Sequence, residues 1–590
     1  MRAHMEVHSR RPQNNIVEWC NIAARLEPPS FYGHLFNILL QSEHRIKIQS
    51  LYNQIVIKKL GKLQMNIPTR PKSKNVAAYI DRLPPCNNAC PAGENIQKWL
   101  GLAKEKKFHE AWEEIVQNNP FPAIHGRVCY HYCETKCNRI QYDSTVGIHC
   151  VERFLGDMAI AEGWQTTPGA PTGKKVLIVG AGPAGLSAAH HLRLMGHEVT
   201  IYEALSQAGG TMLVGIPAYR LPRETLAGEI KRILNMGVKI EYNRKVEDVV
   251  AEKKQGKFDA VFLAIGAHLG KNLVFPVENP CPMVDAVDYL RNVAFGTPLQ
   301  LGSRLAIYGG GNTAIDVARS AKRLGVPDIT IIYHRTREKM AAFQHEVEEA
   351  LEEGIKFVFL RTAVELNGNN LTLSINELDE KGRPKQSGTF DILKTDALIF
   401  ALNQIPDSEF LRKVPGVEIQ TNGVVTVDEC FMTGYFGIFA GGDMIPYDRS
   451  VTVAVGQGKY AARYINAYLN DTNFNKPLRN EAALFDKLHI PTNEPKSQKT
   501  QQKLLDANTR VKSFVEFVQS CNQDEVLYET KRCFSCGNCF ECDACYNICP
   551  VKAITKLGPG KRYKIDIEKC IGCGKCFKAC PCGAIIMTDR

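Results

Sequence analysis

Twice in this chain a short run of branched apolar residues breaks into a glycine turn and then into a helix-forming stretch. Few folds accommodate that succession. The first instance is KVLIVGAGPAGLSAAHHLRLMGHEVTIYEA. Val176–Val179 reads as a buried strand, Gly180-Ala181-Gly182-Pro183-Ala184-Gly185 as the turn, Leu186–Leu194 as a helix and Val199–Tyr202 as a second strand ending at Glu203. The first glycine permits the tight turn, the second lets backbone approach a pyrophosphate, and the third lets helix and strand pack closely. Unpaired N–H groups at the helix start favour an anion, and Glu203 can accept hydrogen bonds from an adenosine ribose. A lone glycine turn would be weak; here strand, turn, helix, strand and acid agree.

The second instance is RLAIYGGGNTAIDVARSAKRLGVPDITIIYHRTREK. Strand Leu305–Tyr308 meets Gly309, Gly311, Asn312 and Thr313, and a helix and strand follow. No carboxylate closes that second strand; the chain reads His334-Arg335-Thr336-Arg337 instead. A carboxylate repels a ribose 2′-phosphate and guanidinium groups pair with it, which favours NADP(H) over NAD(H). The plainer alternative is that these arginines face solvent. Two sites closing on different residues imply two dinucleotides, FAD in the first and a nicotinamide in the second. Strands FDAVFLAIG, DALIFALN and GIFAGGD end at small residues, among them Gly266 and Gly442, where backbone can press on a cofactor. Asp443 is placed to bond a flavin ribityl hydroxyl, and the helix begun by TVAVGQGKYAA to point its positive end at the flavin ring. The segment GGTMLVGIPAYRLP, with Gly210, contains no cysteine, which rules out a thiol–disulfide relay there.

Cysteine is the other strong signal. Cys539-x2-Cys542-x2-Cys545-x3-Cys549-Pro and Cys570-x2-Cys573-x2-Cys576-x3-Cys580-Pro repeat the spacing of a bacterial two-cluster ferredoxin, in which the fourth thiolate crosses to the other cubane. Cys539, Cys542, Cys545 and Cys580 then hold one [4Fe–4S] cluster, and Cys570, Cys573, Cys576 and Cys549 the other. Zinc is the weaker reading. Cys533, Cys536 and Cys582 are left over, and only the frame beginning at Cys539 ends in Cys-Pro. Nearer the amino terminus stand Cys86, Cys90, Cys129, Cys133 and Cys137, with Cys150 and Glu152 shortly after. Five cysteines suffice for one cubane, against zinc or plain buried thiols. A disulfide scaffold is not expected in a chain of 590 residues whose first residues lack the apolar core of a secretory signal.

No apolar run reaches the ~18 residues of a membrane span. The net charge of +11 forms no basic stripe within a nucleic-acid module. The expectation is a cytoplasmic multidomain protein. Residues 1–64 form an extension of unknown role with one amphipathic stretch, Leu35 to Leu60. A helical iron–sulfur domain is expected over 65–165, a linker over 166–175 (TTPGAPTGKK), parallel α/β layers to about 470, a polar connector over 476–530 and a small α+β ferredoxin domain over 531–590.

In order, CPAGENIQ, GRVCYHYCETKC, VLIVGAGPAGLSAA, GGTMLVGIPAYRLP, GGGNTAIDVAR and GIFAGGD make the chain similar to the small (beta) subunit of NADPH-dependent glutamate synthase. They also resemble the amino-terminal region of dihydropyrimidine dehydrogenase. The resemblance implies two Rossmann-like domains in a glutathione-reductase-like arrangement, with FAD at 174–285 plus 401–475 and NADPH at an inserted 286–400. It also implies that Arg220 touches FAD, that Asn403 lies near the nicotinamide, and that Cys90, Cys129, Cys133 and Glu152 hold one amino-terminal cluster. Cys86 and Cys137 would belong to a first cluster that lacks two of its ligands here, so a second amino-terminal cluster stays open.

Nicotinamide gives only hydride and clusters carry only single electrons, whereas flavin handles both. The expected reaction passes electrons from NADPH through FAD and clusters to a partner, with no acid or base residue required. That partner is a glutamate synthase large-subunit-like chain or a ferredoxin, in a hetero-oligomer. The alternatives are a stand-alone NADPH:ferredoxin oxidoreductase, the reductase of a 2-oxoacid oxidoreductase complex, or a carrier that binds nucleotides without turnover.

Overall fold

The computed structural model describes residues 73–477, 479–490 and 495–590. The extension over 1–64 and its amphipathic stretch lie outside them. Two five-stranded parallel sheets form the body. The first runs Ile438–Ala440, Ala260–Leu263, Lys175–Val179, Glu198–Tyr202, Lys239–Glu241. Its central strands are unbroken apolar runs, as parallel strands covered on both faces require. The second runs Lys356–Phe359, Asp328–Tyr333, Arg304–Tyr308, Ala397–Phe400, Met283–Asp285, and is also parallel throughout. Met283–Asp285 lies ahead of the boundary at 286 that the resemblance implies, yet Leu398 pairs with Met283, so the second sheet begins a few residues earlier. Ile438–Ala440 then returns to the first sheet.

The amino-terminal segment is helical, with Ile96–Lys104, Phe108–Val116, Pro122–Val128 and Ile148–Glu162 around the buried Trp99 and Trp112. Its apolar core is continuous with that of the first sheet, from Cys90 and Trp99 through Ile178 to Val526. One strand departs from the helical expectation. Asn75–Tyr79 pairs antiparallel with Ile585–Asp589, from Asn75 opposite Asp589 to Tyr79 opposite Ile585. The carboxyl-terminal unit therefore borrows a strand from the other end of the described chain, and buries Val76 and Ala77 against Ile585.

The polar connector is not loose. Arg510 pairs with Glu352 and Glu353 of the second sheet's flank at 2.8 and 2.9 Å. Cys521 forms a disulfide with Cys150, one cross-link in a chain where no disulfide scaffold is expected. Helix Gln523–Arg532 opens with a capping box from Asn522 and Glu525. Burial under the connector is what brings Cys150 and Cys521 together, a proximity no local spacing announces. Among the described residues no helix is long and apolar enough to cross a membrane.

Candidate functional site

A cavity of about 540 Å³ opens at the carboxyl ends of the first sheet's strands. Gly180, Gly182, Pro183, Ala184, Glu203, Gly210, Gly266, Gly442 and Asp443 all line it. Gly180 has φ +104, and a Cβ there would stand 2.5 Å from the Ala264 carbonyl, so only glycine makes this turn. A Cβ built on Gly185 would meet the Gly180 carbonyl at 2.0 Å, which is the close helix–strand approach expected of the third glycine. Helix Pro183–Leu194 starts with proline in its first turn, where no N–H is needed. The Glu203 carboxylate accepts from Ala181 N at 2.7 Å and Leu205 N at 2.8 Å, which fixes it at the cavity wall, and burial pushes its pKa up. Burial also pushes the Asp443 carboxyl up to about 6, opposed by Arg449. The cradle fits a dinucleotide: glycine backbone on one side, the buried Glu203 carboxylate on one wall and the Asp443 carboxylate on another.

Arg220 does not line this cavity. Its guanidinium is held by Asp316 at 2.7 Å and Glu346 at 2.7 Å, both on the second nucleotide domain. Two buried carboxylates need a cation between them, and that demand holds Arg220 at the seam between the two nucleotide domains.

At the second glycine turn, Gly309, Gly311, Asn312 and Thr313 lead into helix Asn312–Arg323. A Cβ on Gly311 would meet nothing within 4 Å, so that face is open to a ligand. The loop after Tyr333 folds over the turn: Ala341 N and Ala342 N both donate to Gly310 O at 3.0 Å, and Phe343 N donates to Asn312 Oδ1 at 3.0 Å. This fold-back places the His334, Arg335 and Arg337 segment beside the turn, with Arg335 exposed. Burial and the neighbouring Arg335 charge lower the His334 pKa. Asn403 is exposed past strand Ala397–Phe400, and its carbonyl accepts from Lys271 N at 3.1 Å.

The cysteines gather into four groups. Cys539 has Cys545, Cys580 and Cys542 as charged neighbours, and Cys549, Cys570, Cys573 and Cys576 line one small cavity, the two sets read from the doubled spacing. Cys90, Cys129 and Cys133 face one another and Glu152. Glu152 and Glu94 both accept from Asn119 Nδ2, at 2.8 and 3.0 Å. Burial raises the Glu152 pKa, and the Glu94 carboxylate beside it adds to the effect. Glu94 was not singled out from sequence; its place four residues after Cys90 was the available signal. The fourth group is unexpected. Cys86 and Cys137 share a cavity with Cys533 and Cys536. Burial pushes all four thiols up, with the nearby sulfurs contributing at Cys86, Cys137 and Cys536, while Lys104 and Arg139 oppose the rise at Cys533.

Helix Val451–Leu469 joins the flavin-type cavity to the nearest cysteine group. Ser450 caps it through Val453 N. Ala454 lines the cavity, while Thr452 Oγ1, on the same turn, donates to Cys129 Sγ at 3.1 Å. Gly456 and Gly458 allow the approach on both sides: a Cβ on Gly456 would strike Pro91 O at 2.2 Å, and one on Gly458 would strike Ala184 O at 2.2 Å.

Two Rossmann-type cradles, a helical segment with clustered cysteines and a ferredoxin-spaced tail define a flavin and iron–sulfur oxidoreductase. The pyridine nucleotide-disulphide oxidoreductase family matches residues 174–458. The dihydropyrimidine dehydrogenase domain II 4Fe-4S family matches 81–164, and the 4Fe-4S dicluster family 538–584. The glutamate synthase [NADPH] small chain of Escherichia coli K12 is 32% identical over 430 residues, 66% of this chain and 91% of that protein. The NADPH-Fe(3+) oxidoreductase subunit beta of Geobacter sulfurreducens is 36% identical over 446 residues, covering 68% of this chain and 66% of the relative. The NADP(+)-dependent formate dehydrogenase subunit beta of Moorella thermoacetica is 36% identical over 424 residues, 65% of this chain and 60% of that one. Mycobacterium tuberculosis FprA in complex with NADPH is a solved structure at TM-score 0.44 and 17% identity, covering 50% of this chain and 85% of that one. The chain belongs to the family of NADPH-dependent flavin and iron–sulfur oxidoreductases that includes the glutamate synthase small chain.

Proposed function

We propose that the protein is an electron-input subunit that takes hydride from NADPH and delivers single electrons to an acceptor protein of the glutamate synthase large-subunit kind. FAD supplies the conversion from an electron pair to single electrons, and [4Fe–4S] clusters carry the singles onward. Gly180, Gly182, Gly210, Gly442 and Glu203 hold the FAD pyrophosphate and ribose, and Asp443 accepts from the ribityl chain. Gly309, Gly311, Asn312 and Thr313 hold the NADPH pyrophosphate, and Arg335 and Arg337 pair with its 2′-phosphate. Cys90, Cys129, Cys133 and Glu152 hold one amino-terminal cluster, and the carboxyl-terminal cysteines hold two. No side chain needs to move a proton in hydride transfer, so specificity rests on positioning alone.

The observation that carries this reading is the turn of helix Val451–Leu469 that touches both sites, Ala454 at the cavity and Thr452 on Cys129 Sγ. A helix whose glycines let it press on Pro91 and Ala184 together keeps a flavin and a cluster ligand on opposite sides of one rigid element. Anaerobic titration with NADPH and with NADH, followed optically and by electron spin resonance, tests it. Bleaching of the flavin band by NADPH at lower concentration than by NADH, followed by cluster signals, is the expected result; flavin that stays oxidised would refute it. Glutamate formation from glutamine and 2-oxoglutarate on adding a large subunit identifies the acceptor. A second reading, reduction of a free ferredoxin, draws on the ferredoxin-spaced tail, and requires reduction of an added small ferredoxin without any other chain.

A further inference from the structure

The CxxC formed by Cys533 and Cys536 stands outside the ferredoxin frame, and its surroundings say what it does. We infer that Cys86, Cys137, Cys533 and Cys536 together ligate a fourth [4Fe–4S] cluster, whose ligands come half from the amino-terminal helical segment and half from the stretch just before the ferredoxin repeats. The inference rests on the iron–sulfur reading of the other three groups but not on NADPH as donor or on any acceptor.

The four cysteines line one small cavity, as Cys549, Cys570, Cys573 and Cys576 line another. Two cysteine quartets on unrelated backbones thus each converge on one pocket. A single zinc ion would draw its sulfurs closer, to about 3.8 Å apart for bonds of ~2.3 Å. Among the described residues the groups whose ligand atoms converge within 4.8 Å are His131, Glu134 and His149, and Glu94, His125 and Glu152. The cysteine quartets are wider than that, as thiolates spread over a cubane's four irons are.

The site is built from three separate stretches. Cys86 is in the first turn of helix Pro85–Ala89, Cys137 precedes the short turn Asn138–Gln141, and Cys533 ends helix Gln523–Arg532. Left-handed Ser535 and Gly537 turn the chain so that Cys536 faces back into the cavity. Amide donors already point at the sulfurs: Ser535 N to Cys533 Sγ at 3.4 Å and Asn138 Nδ2 to Cys536 Sγ at 3.3 Å. Such N–H groups, together with the Arg139 guanidinium 4.7 Å from the Phe534 ring centre, suit the net negative charge that four thiolates leave around a cluster core.

What holds the two halves in register is equally specific. Arg139 Nη1 donates to Arg532 O at 2.5 Å, and Asn138 Nδ2 to Ala483 O at 2.7 Å. Arg532 returns the bond across the seam, to Thr145 O and Ser144 O at 2.7 Å each. Gly537 N donates to Cys582 O at 2.7 Å, which fixes the same loop to the ferredoxin unit. The two ligands missing beside Cys86 and Cys137 are thereby supplied from the far end of the described chain.

The test is iron, sulfide and zinc analysis of the anaerobically purified full chain, with spin resonance after dithionite. Four clusters give about sixteen iron and sixteen sulfide per flavin, where the other three alone give about twelve. Cys533→Ser with Cys536→Ser, and separately Cys86→Ser, should each lower the count by about four iron and remove the same resonance, leaving flavin content unchanged. The exposed Cys430→Ser should change nothing. Wild-type protein with about twelve iron, stoichiometric zinc, or an unchanged count in the double variant overturns the inference. The wild-type count decides even if a variant fails to fold. Dithionite replaces NADPH here, so a failure of this inference is distinct from a failure of the proposed donor.

Discussion

The carboxyl-terminal ferredoxin unit and the amino-terminal helical segment both gather cysteines, and they do so in opposite ways. In the first, two runs of four cysteines at fixed short spacing place six sulfurs around their own cluster, and only the two crossing thiolates, of Cys549 and Cys580, reach further. In the second, Cys90, Cys129 and Cys133 lie beside Glu152, which shares Asn119 with Glu94, while Cys86 and Cys137 share a cavity with Cys533 and Cys536. Local spacing suffices where the backbone wraps its own cargo. Where the ligands are scattered, the fold must be complete before the site exists.

The largest effect should come from deleting residues 533–590. If the tail were an independent appendage, the remainder would lose about eight iron; a site shared across the molecule predicts about twelve lost, leaving about four on Cys90, Cys129, Cys133 and Glu152. Metal analysis of the full-length and truncated proteins side by side discriminates. Cys549→Ser should remove about four iron, and the spin-resonance signal lost should be the one also lost in Cys573→Ser and kept in Cys542→Ser. Loss paired instead with Cys542 would break the crossing arrangement. Arg532→Ala removes a buried guanidinium that pairs with Glu529 at 2.8 Å and satisfies two carbonyls, and should cost about 3–5 kcal/mol, read as a lower denaturation midpoint. An equal midpoint would mean that the seam between the two halves is not held there.

The nucleotide cradles extend the comparison at smaller scale. Replacing Arg335 and Arg337 by serine should raise the KM for NADPH by at least about tenfold and leave that for NADH near its starting value, since even one charge-assisted bond contributes about 1.5–3 kcal/mol. Asp443 gives the mildest effect. Its carboxyl titrates at about 6, so above that pH it is an anion that accepts from ribityl hydroxyls, and as pH falls through about 6 it gains a proton and flavin affinity declines. In Asp443→Asn the decline should vanish, with affinity low at every pH. An unchanged wild-type profile between pH 5 and 7 would remove Asp443 from the site.

The same contrast explains how far reading residues in order could go. The strand–glycine–helix units were legible because a pyrophosphate cradle is local: Gly180, Gly182, Gly185 and Glu203 all fall within one βαβ unit, and all sit where that unit puts them. The ferredoxin sets were legible for the same reason. The ion pairs of Arg220 were not legible, because its partners, Asp316 and Glu346, come from another domain and nothing beside it in sequence shows that they are buried. The strand Asn75–Tyr79 is too short and too mixed to read without Ile585–Asp589 opposite it. Cys533 and Cys536 had the right chemistry but no visible companions.

The pairing of Asn75–Tyr79 with Ile585–Asp589 has a temporal consequence. At ribosomal speeds of about 5–20 residues per second, roughly 25–100 s separate the emergence of one strand from that of its mate. During that interval Val76 and Ala77 lack the surface that will cover them, and the thiols of Cys86 and Cys137 have no metal cage to enter. A cluster shared by Cys86, Cys137, Cys533 and Cys536 would thus have to wait until translation has passed Cys536, and a nascent chain stalled earlier is an unfinished edge open to chaperone or protease.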